Sequence, residues 1–179
     1  MQFDFNVEQV AELLPRITEN LNYRAEALNK IFPKYFKRAG RDADKYHRQP
    51  EKIANVIYAN RMDNGDIDSG DGWHFRGGGI LQLTGRYNYT QFGKAEELSA
   101  SEATDFVRTP IGALASACWF WDTNNINRYC DTQDIVTMTK RINGGTIGLA
   151  DRKNLDLMQM VFLEKVQKQN LKAGNLLED

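Results

Sequence analysis

The residues best suited to chemistry lie in one glycine-rich stretch, residues 72–89, which reads GWHFRGGGILQLTGRYNY. Its glycines let the backbone approach a ligand closely, and its aromatic side chains offer flat faces for sugar rings. Gln82, Thr84 and Asn88 add neutral hydrogen-bonding groups. A phosphate loop is the rival interpretation, but the stretch lacks the Lys-Ser/Thr ending of such a loop. The stretch therefore predicts a sugar-binding site.

The three tryptophans of the chain fall into two groups. Trp73 lies within the glycine-rich stretch and is a candidate platform for a sugar ring. Trp119 and Trp121 lie in a strongly apolar segment with helical spacing, which predicts that they belong to the hydrophobic core. Only Trp73 is therefore a candidate substrate-binding residue.

Composition argues against several other classes of protein. The formal net charge of -1 gives no broad attraction to nucleic acid or to an anionic membrane. No apolar run is long enough to span a bilayer, and residues 1–6 have no secretory character, so we expect synthesis in the cytoplasm and no stable membrane insertion. Cys118 and Cys130 are expected as reduced thiols. No metal-binding motif occurs, which predicts neither a metal site nor a cofactor.

Residues 34–49 are basic with interleaved aromatics, a pattern that also occurs in nucleic-acid-binding segments. Asp42, Asp44 and Glu51 offset this charge, which favours a solvated helix pair with a few aromatics turned inward. We therefore expect no nucleic-acid partner.

The spacing of apolar residues predicts a mainly α protein. The segment after Pro110 is the most apolar, and its residues Ile111, Leu114 and Cys118 are predicted to lie in the core. The predicted helices are a short one within residues 1–15, one over residues 24–31, one starting at Pro50, one starting at Pro110, one following Asp131 or Thr132 and ending at Gly144, and one from about Asp151 to beyond Val166.

Strand-like alternation is confined to residues 73–75 and 80–83, so we expect only a small β-hairpin or an irregular Gly-rich loop region. No repeat or linker interrupts the pattern, which predicts one domain over residues 1–179. Residues 172–179 are expected to form a frayed tail.

The glycine-rich stretch resembles the signature of the family 19 glycoside hydrolases, W-x-[YF]-R-G-R-G-x-x-Q-[LI]-[TS]-G-x-x-N-Y. This family comprises plant-type chitinases and related bacteriophage endolysins, and the endolysin branch fits better because the loops of plant chitinases are absent. The resemblance covers nearly everything from Arg16 to Phe162 and implies a lysozyme-like helical domain. Gly78 departs from the signature, because endolysins usually carry a second arginine there. Further matching segments are residues 19–23, 58–62, 117–121, 142–145 and 151–152.

The resemblance also implies roles for individual residues. Inverting hydrolysis of a glycosidic bond needs a general acid and a general base, with carboxylates ~6.5 to 9.5 Å apart. Taken singly, Glu19 fits a first-turn helix acid, Asn143 a helix end and Arg152 a surface ion-pair partner. By resemblance the roles are Glu19 as the base, Thr84 holding the attacking water, Trp73, Gln82, Tyr87, Asn88 and Asn143 binding the sugar, and Arg152 supporting the carboxylate network.

The general acid of the relatives has no counterpart in the chain. In relatives it lies in a His-Glu-Ser-Gly-Gly segment nine residues before the base, and this segment is absent here. Counting back from Glu19 leads to Val10, so the simplest account is an internal gap near residues 15–16. Glu8 and Glu12 are poor substitutes, because an exposed glutamate keeps an ordinary pKa and has therefore already lost its proton at neutral pH.

Two classes of function follow from the sequence. The first is an endolysin-type glycosidase that cleaves β-1,4 bonds of peptidoglycan amino sugars, with chitin oligomers as another substrate. Such a protein would reach the cell wall through a separate membrane-permeabilising protein and, if the domain is complete, act as a monomer. The alternative is a glycan-binding or virion-associated module without catalysis, which the missing acid favours.

Overall fold

A computed structural model of the protein describes residues 17–154. These residues belong to two compact units, which divide between Phe120 and Trp121. The predicted helix within residues 1–15, the predicted gap at residues 15–16, most of the last predicted helix and the predicted tail lie outside the described residues. That the whole chain forms one domain therefore stays a prediction.

The prediction of a mainly α fold is confirmed. Between residues 17 and 154, β structure is limited to isolated bridges that join Thr18 to Gly78 and Gly78 to Leu83. No helix in this range is long and apolar enough to cross a membrane. The helices are α1 (Ala25–Ile31), α2 (Pro50–Tyr58), α3 (Asp71–His74), α4 (Arg86–Ala95), α5 (Ala100–Val107), α6 (Pro110–Thr123), α7 (Asn127–Asp131) and α8 (Ile135–Asn143), with 3-10 turns at Ala43–Tyr46 and Ile67–Ser69.

The first hydrophobic cluster forms around α1 and α2. Helix α2 begins at Pro50, whose fixed backbone angle suits the first turn of a helix, and the helical spacing of its apolar residues correctly predicts that Ile53 to Ile57 carry a buried stripe. Spacing also predicts Leu28 and Ile31 on one side of α1, but Ile31 is 51% exposed, because the chain turns at Phe32 and that ring packs against the cluster instead. Its buried members include Leu21, Leu28, Phe36, Ile53, Ala54, Val56 and Ile57.

Residues 34–49 form turns and a short 3-10 helix instead of the predicted helix pair. The aromatic side chains nevertheless point inward as predicted, since Phe36 is fully buried and Tyr46 packs edge-on against it. The aromatics therefore belong to the first hydrophobic cluster.

The second hydrophobic cluster joins the glycine-rich stretch to α4 and α5. Tyr89, Phe92 and Val107 are fully buried in it. Helix α5 begins with a capping box in which Ser99 and Glu102 satisfy each other's backbone N–H groups. Trp119 packs against this cluster at 5.6 Å from Phe92 between ring centroids, as predicted for a core residue. The cluster thus anchors the segment that carries the sugar-binding candidates.

Helix α6 exists as predicted, but its predicted inner face is wrong. Its buried residues are Gly112, Ala113 and Ser116, whereas Ile111 is 74% exposed and Leu114 is 43% exposed. Cys118 is likewise an exposed free thiol, as is Cys130 in the second unit. The reason is close approach to α5, since a Cβ atom on Gly112 would lie 1.9 Å from the carbonyl oxygen of Phe106. Only small residues fit that contact, so the large ones face outward.

Two smaller predictions also change. The strand-like alternation at residues 73–75 coincides with the end of helix α3, whereas the segment after it is the irregular Gly-rich loop region that was one of the two expectations, with Gly78 and Leu83 joined by a single bridge. Helix α8 begins after Asp134, whose side chain accepts a hydrogen bond from the Thr137 N–H, and not after Asp131 or Thr132. Asp131 does not cap α8, because it is the last residue of the five-residue helix α7.

The close contact at Gly112 gives a stability prediction. Gly112→Ala should lower the free energy of unfolding by about 2–3 kcal/mol, because the new methyl group overlaps the Phe106 carbonyl. Thermal unfolding followed by circular dichroism should show a fall in Tm of about 5–10 °C. Gly145→Ala is the control, since no atom lies within 4 Å of its Cβ position. Equal Tm values for the two variants would contradict the packing.

Candidate active site

Glu19 lies in an extended segment that pairs with the glycine-rich stretch. Its backbone N–H donates to the Gly77 carbonyl at 2.9 Å, and the Gly77 N–H donates to Glu19 Oε2 at 3.2 Å. The adjacent bridges link Thr18 to Gly78 and Gly78 to Leu83. These pairings bring the predicted base next to the turn that leads into the sugar-binding candidates.

Two glycines of this stretch lie directly against side chains of the site. A Cβ atom on Gly77 would lie 2.8 Å from Gln82 Oε1 and 3.3 Å from Glu19 Oε2. A Cβ atom on Gly78 would lie 2.6 Å from the hydroxyl of Tyr89, which donates to the Arg76 carbonyl. An arginine at position 78, as in the endolysin signature, would therefore have to displace Tyr89.

Tyr58, at the end of α2, holds the carboxylate of Glu19 from the other side. Its hydroxyl lies 2.8 Å from Oε1 and 2.9 Å from Oε2 of Glu19. Burial, followed by the charge and the hydrogen bond of Glu19, raises the pKa of Tyr58 well above its ordinary value, so the hydroxyl keeps its proton and donates. A carboxylate has about four lone-pair sites, so the donors Tyr58 and Gly77 leave capacity for a water molecule.

Sequence reasoning assigned no role to Tyr58. The residue lies in a segment that matches the family, and it ends the amphipathic α2 helix. Its hydrogen bond to Glu19 crosses 39 positions of the chain, which no local spacing encodes. The available signal was the match at residues 58–62 itself, which carries a polar aromatic residue at the end of a buried helix face.

Four of the predicted site residues meet on the turn into α4. Thr84 donates its hydroxyl to the Gln82 carbonyl at 2.8 Å, and the Asn88 amide donates to the Thr84 carbonyl at 2.8 Å. Thr84 Oγ keeps its lone pairs and can still accept from water. Tyr87 is 51% exposed, and its backbone N–H donates to the Met62 carbonyl. The turn thus presents neutral polar groups beside the strand pairing of Glu19.

Gln82 has a left-handed backbone with a φ of 54°, which is unfavourable for a residue other than glycine. Its side-chain amide donates to the Gly79 carbonyl at 3.0 Å and to the Ile17 carbonyl at 3.3 Å. These bonds tie the strained turn to the segment that precedes Glu19. Such strain is typical of functional turns.

Trp73 is half-buried and already has a stacking partner within the chain. The guanidinium of Arg76 lies 3.6 Å from the centre of its ring, and the ring also packs against the first hydrophobic cluster. The backbone N–H of Trp73 donates to Asn55 Oδ1 at 2.7 Å. A sugar ring would have to use the remaining exposed part of Trp73, so its role as a platform stays a prediction.

A polar clasp, formed by Asn64, Asp71 and Arg86, joins α2 to the start of α4. Asn64 donates to the Tyr58 carbonyl at 3.0 Å and accepts from the Arg86 N–H at 2.8 Å. The side chain of Arg86 binds Asp71 through two hydrogen bonds, and the Gly65 N–H donates to Asp71 at 2.7 Å. The clasp therefore fixes the backbone of Tyr58 relative to the sugar-binding turn.

The last two predicted site residues lie in the second unit. Asn143 ends α8, and Gly144 follows it with a φ of 68°, which agrees with the helix termination expected there. The side chain of Asn143 lies outside the described part of the structure. Arg152 is half-buried, and its backbone N–H donates to the Gly148 carbonyl at 3.1 Å. The proposed contacts of both residues with sugar or with Glu19 stay predictions.

Comparison with known proteins gives the family. A protein of Haemophilus influenzae, described as glycosyl hydrolase family 19 domain-containing, is 40% identical to this chain over 146 residues, which are 82% of this chain and 70% of the relative. This chain belongs to glycosyl hydrolase family 19. An endochitinase of Arabidopsis thaliana is 39% identical over 75 residues, which are 41% of this chain and 26% of that enzyme. No family model matches the chain.

Membership in family 19 indicates a glycoside hydrolase of the chitinase-like kind. It agrees with the mainly α fold and with the pairing of Glu19 to the glycine-rich signature. Within this family 19 chain, the assignment of Glu19 as the base and of Thr84 as the water ligand stays a prediction.

The contact between Tyr58 and Glu19 can be tested without a substrate. Tyr58→Phe should free the carboxylate and thereby weaken the hydrogen bond from the Gly77 N–H. We expect hydrogen exchange at the Gly77 amide to accelerate about 5- to 30-fold, the equivalent of about 1–2 kcal/mol.

Tyr46→Phe is the matched control for this measurement. Tyr46 is another half-buried tyrosine of the first hydrophobic cluster, but its ring contacts Phe36 and Arg41. Exchange at Gly77 should not change in this variant. The same rate in Tyr58→Phe as in the unaltered protein would mean that Tyr58 does not hold Glu19.

Proposed function

We propose that this protein is an endolysin-type glycosidase that cleaves the β-1,4 bonds of peptidoglycan amino sugars by inversion, with chitin oligomers as a second substrate. The observation that carries the proposal is the Glu19 carboxylate, gripped by Tyr58 and Gly77 beside a turn of neutral polar groups. An inverting base must hold a water molecule in one direction, and a carboxylate fixed by two donors is suited to that task.

The neutral character of the turn supports an amino-sugar substrate. Gln82, Tyr87 and Asn88 offer amide and hydroxyl groups that pair with N-acetyl and hydroxyl groups of sugars. The Thr84 hydroxyl donates to the Gln82 carbonyl, so its free lone pairs can accept a hydrogen from the water that Glu19 activates. The resemblance to family 19 gives Asn143 a role in sugar binding and Arg152 a role in the carboxylate network, and both roles stay predictions.

The mechanism also requires a proton donor for the leaving oxygen. Burial alone would raise the pKa of Asp71, but hydrogen bonds from Arg86 and from the Gly65 N–H lower it below its ordinary value. Asp71 is therefore ionised at neutral pH and is a poor acid. Glu8 and Glu12 lie outside the described residues, and the chain has no His-Glu-Ser-Gly-Gly segment.

That missing segment favours a second candidate, a module that binds the glycan without cleaving it or attaches a virion to the wall. The same polar residues would serve either function, because sugar contacts to Gln82, Tyr87 and Asn88 do not depend on the acid. A catalytic protein would act at the bacterial cell wall, which it would reach through a separate membrane-permeabilising protein.

The deciding experiment compares the unaltered protein with Glu19→Gln on purified peptidoglycan and on a hexamer of N-acetylglucosamine. Glu19→Gln should lower the release of reducing ends about 10²- to 10⁴-fold, because the amide cannot accept the proton of water. Proton NMR of the first products should give the α-anomer, as inversion requires. Glu26→Gln, an exposed glutamate in the first turn of α1, is the control and should retain full activity.

Three results decide between the candidates. Loss of cleavage in Glu19→Gln alone supports the glycosidase. Binding of the hexamer by the unaltered protein without any cleavage supports the binding module. Cleavage by Glu19→Gln at the normal rate would contradict the assignment of the base.

A further inference from the structure

Two arginines lie side by side at α3, next to the candidate active site. Arg76 donates to the Trp73 carbonyl at 2.8 Å, and Arg108 donates to the carbonyl of the neighbouring residue, His74, at 3.0 Å. Arg76 immediately precedes Gly77, whose N–H binds Glu19. Successive carbonyls of one short helix thus hold two guanidinium groups beside the catalytic carboxylate.

The positive charge of this pair is only partly compensated. In the described part of the chain, the Nε atoms of Arg76 and Arg108 are buried without a hydrogen-bond acceptor, and Arg76 is in no ion pair. The nearest carboxylate to Arg108 is Asp105 at 3.7 Å, which is 86% exposed and therefore well screened by water. Burial and then the charge of Arg108 lower the pKa of Arg76, whereas the charges of Tyr89, Glu19 and Glu51 raise it less.

A purely structural role does not require two cations at this position. Donation to a backbone carbonyl needs only an N–H group, which a neutral amide also provides. Each guanidinium has five N–H donors, and the contacts to Trp73 and His74 use one donor of each arginine. Paired, rigidly held arginines with spare donors are the arrangement by which proteins bind carboxylates and phosphates.

We propose that Arg76 and Arg108 form an anion subsite that binds a carboxylate carried by the glycan. The chemical class follows from the proposed function, on which the choice of ligand rests: muramic acid units of peptidoglycan bear carboxylates on their lactyl groups or attached peptides, whereas chitin is neutral. The subsite would make the protein prefer the charged polymer. The neutral side chains of Gln82, Tyr87 and Asn88 would bind the sugar, and the arginine pair would bind the carboxylate.

Isothermal titration calorimetry with three tetrasaccharides tests the preference. The ligands are an N-acetylglucosamine tetramer, an alternating tetramer with N-acetylmuramic acid, and the same alternating tetramer with its carboxylates converted to methyl amides. At low salt the carboxylate form should bind about 5- to 10-fold more tightly than the methyl amide form. A fourth ligand, with an L-Ala–D-Glu dipeptide on each lactyl group, distinguishes peptide carboxylates from lactyl carboxylates as the anion.

Arg108→Gln should abolish the preference, because it removes one charge while its amide can still donate to the His74 carbonyl. Arg41→Gln is the matched control, since Arg41 also donates to a backbone carbonyl, that of Tyr35, and lies against the ring of Tyr46. The control should keep the full preference. Equal affinities for charged and amidated ligands in the unaltered protein, or a preference that survives Arg108→Gln, would overturn the proposal.

A second measurement separates the anion subsite from the proposed function. The Nε–H NMR signals of Arg76 and Arg108 are recorded while D-lactate is added, with sodium chloride as the reference for ionic strength. Saturable shifts at both arginines, with the Arg76 shift lost in Arg108→Gln, would support the subsite even if no tetrasaccharide bound, in which case the glycan function would be wrong. No shift with lactate and no preference for charged glycan would eliminate the subsite while leaving glycosidase activity open.

Discussion

The site is organised around one constraint, the need to satisfy the half-buried carboxylate of Glu19. A carboxylate that loses contact with water is costly unless hydrogen-bond donors replace that water. Tyr58 and Gly77 are those donors, and they come from α2 and from the glycine-rich stretch. Any change that separates these two elements therefore leaves the carboxylate of Glu19 without one of its hydrogen-bond donors.

Much of the surrounding structure keeps these two donors in register. The first hydrophobic cluster fixes α2, and with it Tyr58, while the second cluster fixes Tyr89 under the glycine-rich stretch. The polar clasp then connects them, since Asn64 binds both the Tyr58 carbonyl and the Arg86 N–H. Two apolar cores and one polar connection thus converge on a single carboxylate, which is how rigid scaffolds position reactive groups.

The sequence predicted those parts of the fold that depend on local periodicity. The buried stripe of α2 followed from helical spacing, and so did the packing of Trp119 against the second hydrophobic cluster. The inner face of α6 was predicted wrongly because the periodicity of large apolar residues does not reveal that Gly112 touches the Phe106 carbonyl. A contact between helices, set by backbone proximity, outweighed hydrophobicity at that position.

The parts of the site that depend on distant pairings were harder to predict. The hydrogen bond from Tyr58 to Glu19 links residues that are far apart in the chain, and its signal was only a match to a family segment. The arginine pair is equally non-local, because Arg76 and Arg108 come from the glycine-rich stretch and the end of α5. Residue types identified the chemistry, whereas tertiary contacts determined which residues perform it.

The most direct test of the central claim is NMR mapping of glycan binding. The ¹⁵N-labelled protein is titrated with an N-acetylglucosamine tetramer, and the amide signals are followed at Gly77, Gln82, Tyr87 and Asn88. If Glu19 faces the bound sugar, these amides shift together and saturate at one dissociation constant. Unchanged signals at these four amides, with shifts confined to another surface such as basic residues 34–49, would contradict sugar binding beside Glu19.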